Sequence, residues 1–129
     1  FILVPLAVGH ATPRDVAEVL DLLWGGPETL IVISSDLSHF LPYAAANQVD
    51  RDTCQHILQL DTDIRPEQAC GAYPVNGLLL AARRRGLVRF ISSSKALGRR
   101  LDSRFPSDKG SKGVRIRRGI GLRDIADVF

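Results

Sequence analysis

Two short runs hold most of the side chains able to do chemistry. The first is Ser34-Ser35-Asp36-Leu37-Ser38-His39. A carboxylate and an imidazole three residues apart can face one pocket. The imidazole can then act as base, acid or metal ligand. Asp36 could orient His39 by accepting from its second ring nitrogen. An equally weighted structural alternative is that Asp36 or Ser38 caps a turn before the next helix, with His39 merely covering it. Serine, histidine and aspartate together also allow a serine-nucleophile reading. That reading is weak, because no Gly-x-Ser-x-Gly elbow is present and triad members rarely sit so close in sequence.

The second run is Ala69-Cys70-Gly71-Ala72-Tyr73-Pro74. Its cysteine lies beside a glycine and just ahead of a helix opened by proline. The positive end of a helix favours the thiolate, which is the form that binds metals or attacks electrophiles. The structural alternative is a small buried residue at a tight turn. Cys54 falls inside a helical pattern and reads as structural. His10 and His56 read as surface or packing histidines. Gly119 and Gly121 are too short a signal for a nucleotide loop, and there is no Walker sequence.

The surrounding pattern supplies elements to carry these runs. Ile2–Gly9 is a continuous apolar stretch that predicts a strand buried on both faces. Thr12-Pro13 predicts a helix start, and Val16, Val19, Leu20 and Leu23 mark its face. Gly25-Gly26-Pro27 predicts its end. Thr29–Ser34 predicts a second buried strand, rich in β-branched residues. A helix is expected over about Tyr43–Leu60. A turn is expected at Arg65-Pro66-Glu67. Another helix is expected over Pro74–Arg85, closed by Gly86 at the C′ position. Leu87–Ile91 could form a third strand. The order β-α-β-α-α-β implies an α/β fold, with a parallel or mixed sheet flanked by helices. Ligands in such sheets gather beyond the carboxyl ends of strands, where the Ser35–His39 loop begins.

Composition narrows the class. The chain has 129 residues, 45% apolar and 24% charged, which suits one soluble globular domain. No apolar run reaches the roughly 18 residues of a membrane helix. The N-terminal run lacks a basic leader region and reads as a strand, not a signal peptide. A first residue of Phe suggests a start inside a longer frame. Two cysteines make no disulfide framework and suit reduced thiols in a cytoplasm. Charge is uneven: residues 1–93 hold seven Lys/Arg and ten Asp/Glu, net −3, whereas residues 94–129 hold ten and four, net +6. A basic tail raises nucleic-acid binding, but the tail nearly lacks aromatic residues for base stacking, which argues against it. From Ser92 onward the apolar residues show no sustained period.

The run IVISSDLSHFLPY, the helix with Asp50 and Thr53, and EQACGAYPVNGLLLAARRRG together resemble the MEMO family. Its bacterial members are called AmmeMemoRadiSam system protein B. VPLAVG at Val4–Gly9 fits the family's preceding strand, so the resemblance covers residues 1–91. It corresponds to the C-terminal half of the family's domain. The resemblance implies a fold like that of the class III extradiol dioxygenases, incomplete here. It also implies a pocket in which two histidines and a cysteine bind iron or copper. The cysteine matches Cys70, the metal ligand, and Asp36 and His39 match catalytic pocket residues beside it. The two ligand histidines belong to the family's N-terminal half, and none of His10, His39 or His56 sits where they would.

On this resemblance the function is a metal-associated one, with a dioxygenase-like, small-molecule oxidoreductase or redox role in the full-length protein and an inactive fragment here. The alternative is a non-enzymatic module that binds peptides or proteins through the same pocket. AMMECR1-like and radical SAM proteins are the partners implied by the family's genomic system. Self-association through an exposed sheet edge is expected as well. Residues 92–129 depart from the family's ending and read as a divergent, frameshifted or otherwise altered tail.

Overall fold

The computed structural model describes residues 1–86 in full and the backbone of residues 91–92, 114–117 and 125–128. Helix α1 spans Pro13–Leu23, strand β1 Ile31–Ile33, helix α2 Tyr43–Leu58 and helix α3 Ala72–Arg84. Strands β2 (Ile91–Ser92), β3 (Val114–Arg117) and β4 (Ile125–Val128) follow. The four strands form one mixed sheet in the order β1-β3-β4-β2. The β1–β3 and β3–β4 pairs are antiparallel, and β2 runs parallel to β4. An α/β architecture with a mixed sheet is therefore what the chain forms.

The start of α1 follows from local chemistry. The Thr12 hydroxyl accepts from the Asp15 N–H at 3.2 Å, while the Asp15 carboxylate accepts from the Thr12 N–H at 3.0 Å. This reciprocal pair satisfies two donors that a helix start leaves open. Hydrogen bonds from the Thr12 side chain and backbone hold the Asp15 carboxyl below its ordinary value. Pro13 occupies the first turn, where its missing N–H costs nothing. Gly25 ends the helix at φ +56° and Gly86 follows α3 at φ +67°, the left-handed positions that glycine takes without a side-chain clash.

The core lies between α1 and α3, with α2 and the loops around it. Val16, Ala17, Leu20 and Trp24 from the α1 side meet Val75, Leu78, Leu79, Ala81 and Ala82 of α3. Ile57 of α2, with Ile33, Leu37 and Ile64, completes it. At the far ends of α1 and α3, Asp21 accepts from Arg84 at 3.3 Å and from Arg85 at 2.9 Å. The Arg85 guanidinium also stacks 4.4 Å over Trp24. These pairs are a third exposed, so they contribute about 1 kcal/mol each at most.

Asn76 is the polar residue that organises this core. It is buried on α3, and its amide donates to the Ile64 carbonyl at 2.7 Å and accepts from the Ile64 N–H at 3.1 Å. One side chain thereby replaces the partners that a strand would give Ile64, and it holds the 61–69 segment against α3. Asn76→Ala leaves both backbone groups of Ile64 unpaired in the interior. The expected cost is about 2–4 kcal/mol, from roughly 1–3 kcal/mol per unsatisfied group with partial relaxation. A denaturant midpoint unchanged from wild type would contradict this.

Three expectations need correction. Ile2–Gly9 is not a strand. It is exposed throughout, Ile2 to 94%, and pairs with no described strand. A doubly buried strand needs neighbours on both edges and cover on both faces, and the described residues offer this segment neither. Helix α3 begins at Ala72, so Pro74 lies within its first turn rather than opening it. The proline is tolerated there because first-turn N–H groups have no intrahelical acceptor. Helix α2 closes at Leu58, and Leu60 then takes a left-handed φ of +59°.

Beyond residue 86, the Ile91 end of the third strand is present as β2, while residues 87–90 lie outside the described residues. Strands β3 and β4 fall in the segment whose apolar residues show no sustained period. Val-Arg-Ile-Arg does alternate with period two, but over only four residues. Gly119 and Gly121 lie outside the described residues.

Candidate functional site

Strand β1 delivers the polar run to the start of α3. After Ile33 the chain leaves the strand, and Cys70 and Asp36 join in a two-way bridge. The Asp36 N–H donates to Cys70 Sγ at 3.1 Å, and the Cys70 N–H donates to the Asp36 carbonyl at 3.1 Å. Ser35 is buried beneath this bridge. Its hydroxyl donates to the Asp36 carbonyl at 2.9 Å and accepts from the Gly71 N–H at 2.9 Å. The same hydroxyl lies 3.8 Å from Cys70 Sγ.

Gly71 makes that approach feasible. A Cβ there would lie 2.7 Å from Ser35 Cβ and 3.1 Å from the Ser34 carbonyl oxygen. Its φ is −92°, so the requirement is for space, not for an unusual backbone angle. Cys70 is exposed and sits two residues ahead of α3. It is not the buried turn residue of the structural alternative.

Asp36 and His39 face each other. His39 Nε2 lies 3.5 Å from Asp36 Oδ2, and the two side chains are 41% and 49% exposed. That spacing is longer than a good hydrogen bond, so the pair is adjacent rather than locked. Neither Asp36 nor Ser38 caps α2. Pro42 holds the N-cap position, and no side chain bonds the helix start. The Ser38 N–H and hydroxyl instead donate to Asp50 Oδ1 of α2 at 3.0 Å and 2.8 Å. The Ser35 hydroxyl donates to the Asp36 carbonyl and the Ser38 hydroxyl to Asp50, so neither hydroxyl proton is directed at an imidazole base.

Asp36, His39 and Cys70 therefore come from two segments of the chain 31 to 34 residues apart onto one surface at the carboxyl end of β1. His10 has a specific partner, Tyr73 of α3, whose hydroxyl lies 2.8 Å from its Nδ1. His56 Nδ1 lies 2.8 Å from the Asp61 carboxylate beyond α2. Reading the sequence missed Ser35 as the buried link and Asp50 as the loop's anchor. Asp50 stands twelve residues from Ser38, and no local pattern connects them.

The chain is similar to a MEMO1 family protein. The match is to MEMO1 family protein Mbar_A1422 of Methanosarcina barkeri (strain Fusaro / DSM 804), at 27% identity over 101 residues. It covers 69% of this chain and 38% of the relative. The chain thus spans well under half the length of the protein it matches. No family model and no solved structure matches.

The donor set can be compared with the iron or copper that the MEMO resemblance implies. Among the described residues, no group of three His, Cys, Asp or Glu side chains comes together to hold a metal ion. Cys70 offers one sulfur, with the Asp36–His39 pair on the same surface. This is short of a metal centre among the described residues, since a tight transition-metal site needs three or four protein ligands. Among the described residues there is also no helix long and apolar enough to cross a membrane.

Proposed function

We propose that this chain carries one wall of a MEMO-like, metal-associated pocket with a small-molecule oxidoreductase role. Cys70 would hold iron or copper through its sulfur, and the remaining donors would come from protein beyond the described residues. The observation that carries the reading is the junction itself: Asp36 donates its N–H to Cys70 Sγ and faces His39 with its carboxylate. The similarity to a MEMO1 family protein supports it.

A bound iron or copper ion would supply electron transfer to a molecule in the pocket. The chain's own residues do the rest. The Asp36 N–H and the helix that follows Cys70 fix where the sulfur sits. His39, half-exposed, takes or gives a proton at its ring nitrogen. Asp36, 3.5 Å from the ring, orients the imidazole. Buried Ser35 keeps the two segments in contact, so that the carboxylate, imidazole and sulfur stay on one side.

The test is the iron and copper content of the complete gene product, wild type against Cys70→Ala. Loss of one ligand should lower bound metal at least tenfold after dialysis against a weak chelator. Unchanged metal in the variant would overturn the assignment of Cys70.

A further inference from the structure

The loop that carries Asp36 and His39 is held from outside. Ser38 lies between them in sequence, and its N–H and hydroxyl both donate to one oxygen of Asp50. Leu37, the neighbour of Ser38, is 5% exposed and anchors the opposite side of the loop in the core. Immediately after His39, Phe40 adopts φ +58°. A bulky side chain rarely takes this left-handed angle, and it persists only where surrounding contacts impose it. Phe40 itself is 97% exposed, so burial of its own ring cannot be what imposes it. The restraint must come from the chain on either side. On the Asp36 side that restraint is the Leu37 and Ser38 anchors; on the other, α2 begins after Pro42.

We propose that Asp50 is the positioning residue of the site: by fixing Ser38 through two hydrogen bonds, it holds His39 against Asp36. It acts through the serine, which it holds by two bonds to one carboxylate oxygen. The anchor lies on α2, whose Thr53 and Ile57 are fully buried, so its position is set by the core and not by the loop. Without it, only the Leu37 anchor and the start of α2 restrain the loop, the Ser38–His39 backbone is released from α2, and His39 parts from the Asp36 carboxylate. The inference rests on the reading of Asp36 and His39 as the working pair. It concerns geometry alone, so it stands or falls separately from the metal assignment of Cys70.

The experiment is NMR on this chain, reading the nuclear Overhauser contact between the His39 ring and the Asp36 Hβ protons. Amide protection of α3 serves as the control for folding. Wild type should show the contact. Asp50→Ala should lose it with α3 protection intact. Asp50→Asn should keep it, because its side-chain oxygen still accepts from Ser38 without carrying charge. A contact retained in Asp50→Ala, or lost equally in Asp50→Asn, overturns the proposal. If Asp50→Ala does not fold, Ser38→Ala decides: it leaves Asp50 in place and removes one of the two bonds, so the contact should weaken, and an unchanged contact overturns the proposal. Unaltered metal content in Cys70→Ala, by contrast, would remove the metal reading and leave these outcomes untouched.

Discussion

Gly77→Ala is expected to destabilise the protein, although the same change in most helix interiors does the reverse. Alanine in place of an interior helical glycine normally stabilises by roughly 0.5–1 kcal/mol, because it loses less backbone freedom on folding. Here a Cβ would collide with the Val16 side chain, and the Ala17 backbone nitrogen lies behind it at 3.3 Å. Val16 cannot turn aside easily, since a β-branched residue in a helix has one strongly preferred rotamer. Helices α1 and α3 would have to part along the contact that forms most of the core. Overpacking of this kind costs about 1–3 kcal/mol. Steric cost therefore outweighs the entropic gain, and the net loss should be about 1–2 kcal/mol. For a domain with a total stability of about 5–15 kcal/mol, that is a large fraction. Val16→Gly supplies the check. Alone it should destabilise by opening a cavity and loosening α1, but the double variant should cost less than the two singles added, because both Val16 atoms that the new Cβ would strike, Cβ and Cγ1, are gone. Urea unfolding of the four proteins measures this, and additive costs would show that the two residues do not meet.

How much of this arrangement could be read from sequence depends on how local its causes are. The start of α1 was legible because Thr12 and Pro13 carry their signal side by side, and the structure adds Asp15 as the reciprocal cap. The C′ role of Gly86 was legible for the same reason. The apolar face of α3 follows from helical spacing and is buried. In α1 Val16 and Leu20 of the expected face are buried, but Val19 and Leu23 are exposed, and Ala17 packs inward instead. Ile2–Gly9 misled because an apolar run reports a preference for burial, whereas a strand also needs a partner edge. Ile31–Ile33 has the same type of residues, and it becomes a strand where β3 pairs with it. For the site, residue types indicated Asp36, His39 and Cys70 as candidates. The contacts that join them were not legible. The bridge between Asp36 and Cys70 spans 34 residues, and it depends on the missing side chain of Gly71 and the buried hydroxyl of Ser35. A serine beside another serine gives no sign of which one is buried.

That dependence makes Gly71→Ala the sharpest probe of the junction. The new methyl carbon would stand 2.7 Å from Ser35 Cβ and 2.8 Å from Ser35 Oγ, well inside contact distance. Ser35 cannot rotate away without giving up its bonds to the Gly71 N–H and the Asp36 carbonyl. The backbone oxygen of Ser34, 3.1 Å from the same point, blocks the alternative direction. Relief therefore requires the β1 loop and the start of α3 to separate, which stretches the Asp36 N–H···Sγ and Cys70 N–H···O bonds together. Overpacking and the loss of a buried hydrogen bond each cost about 1–3 kcal/mol, so a net loss of about 2–4 kcal/mol is expected. The stability change alone would not distinguish this site from any tight contact. Hydrogen exchange does. The Asp36 and Cys70 amides should lose protection in Gly71→Ala far more than the amides of α1, because the strain is released at the junction and α1 packs on α3 farther along. Uniform loss of protection across α1 and α3 would mean that Gly71 serves the core in general. Selective loss at Asp36 and Cys70 would show that this one glycine keeps the sulfur and the carboxylate on a shared surface.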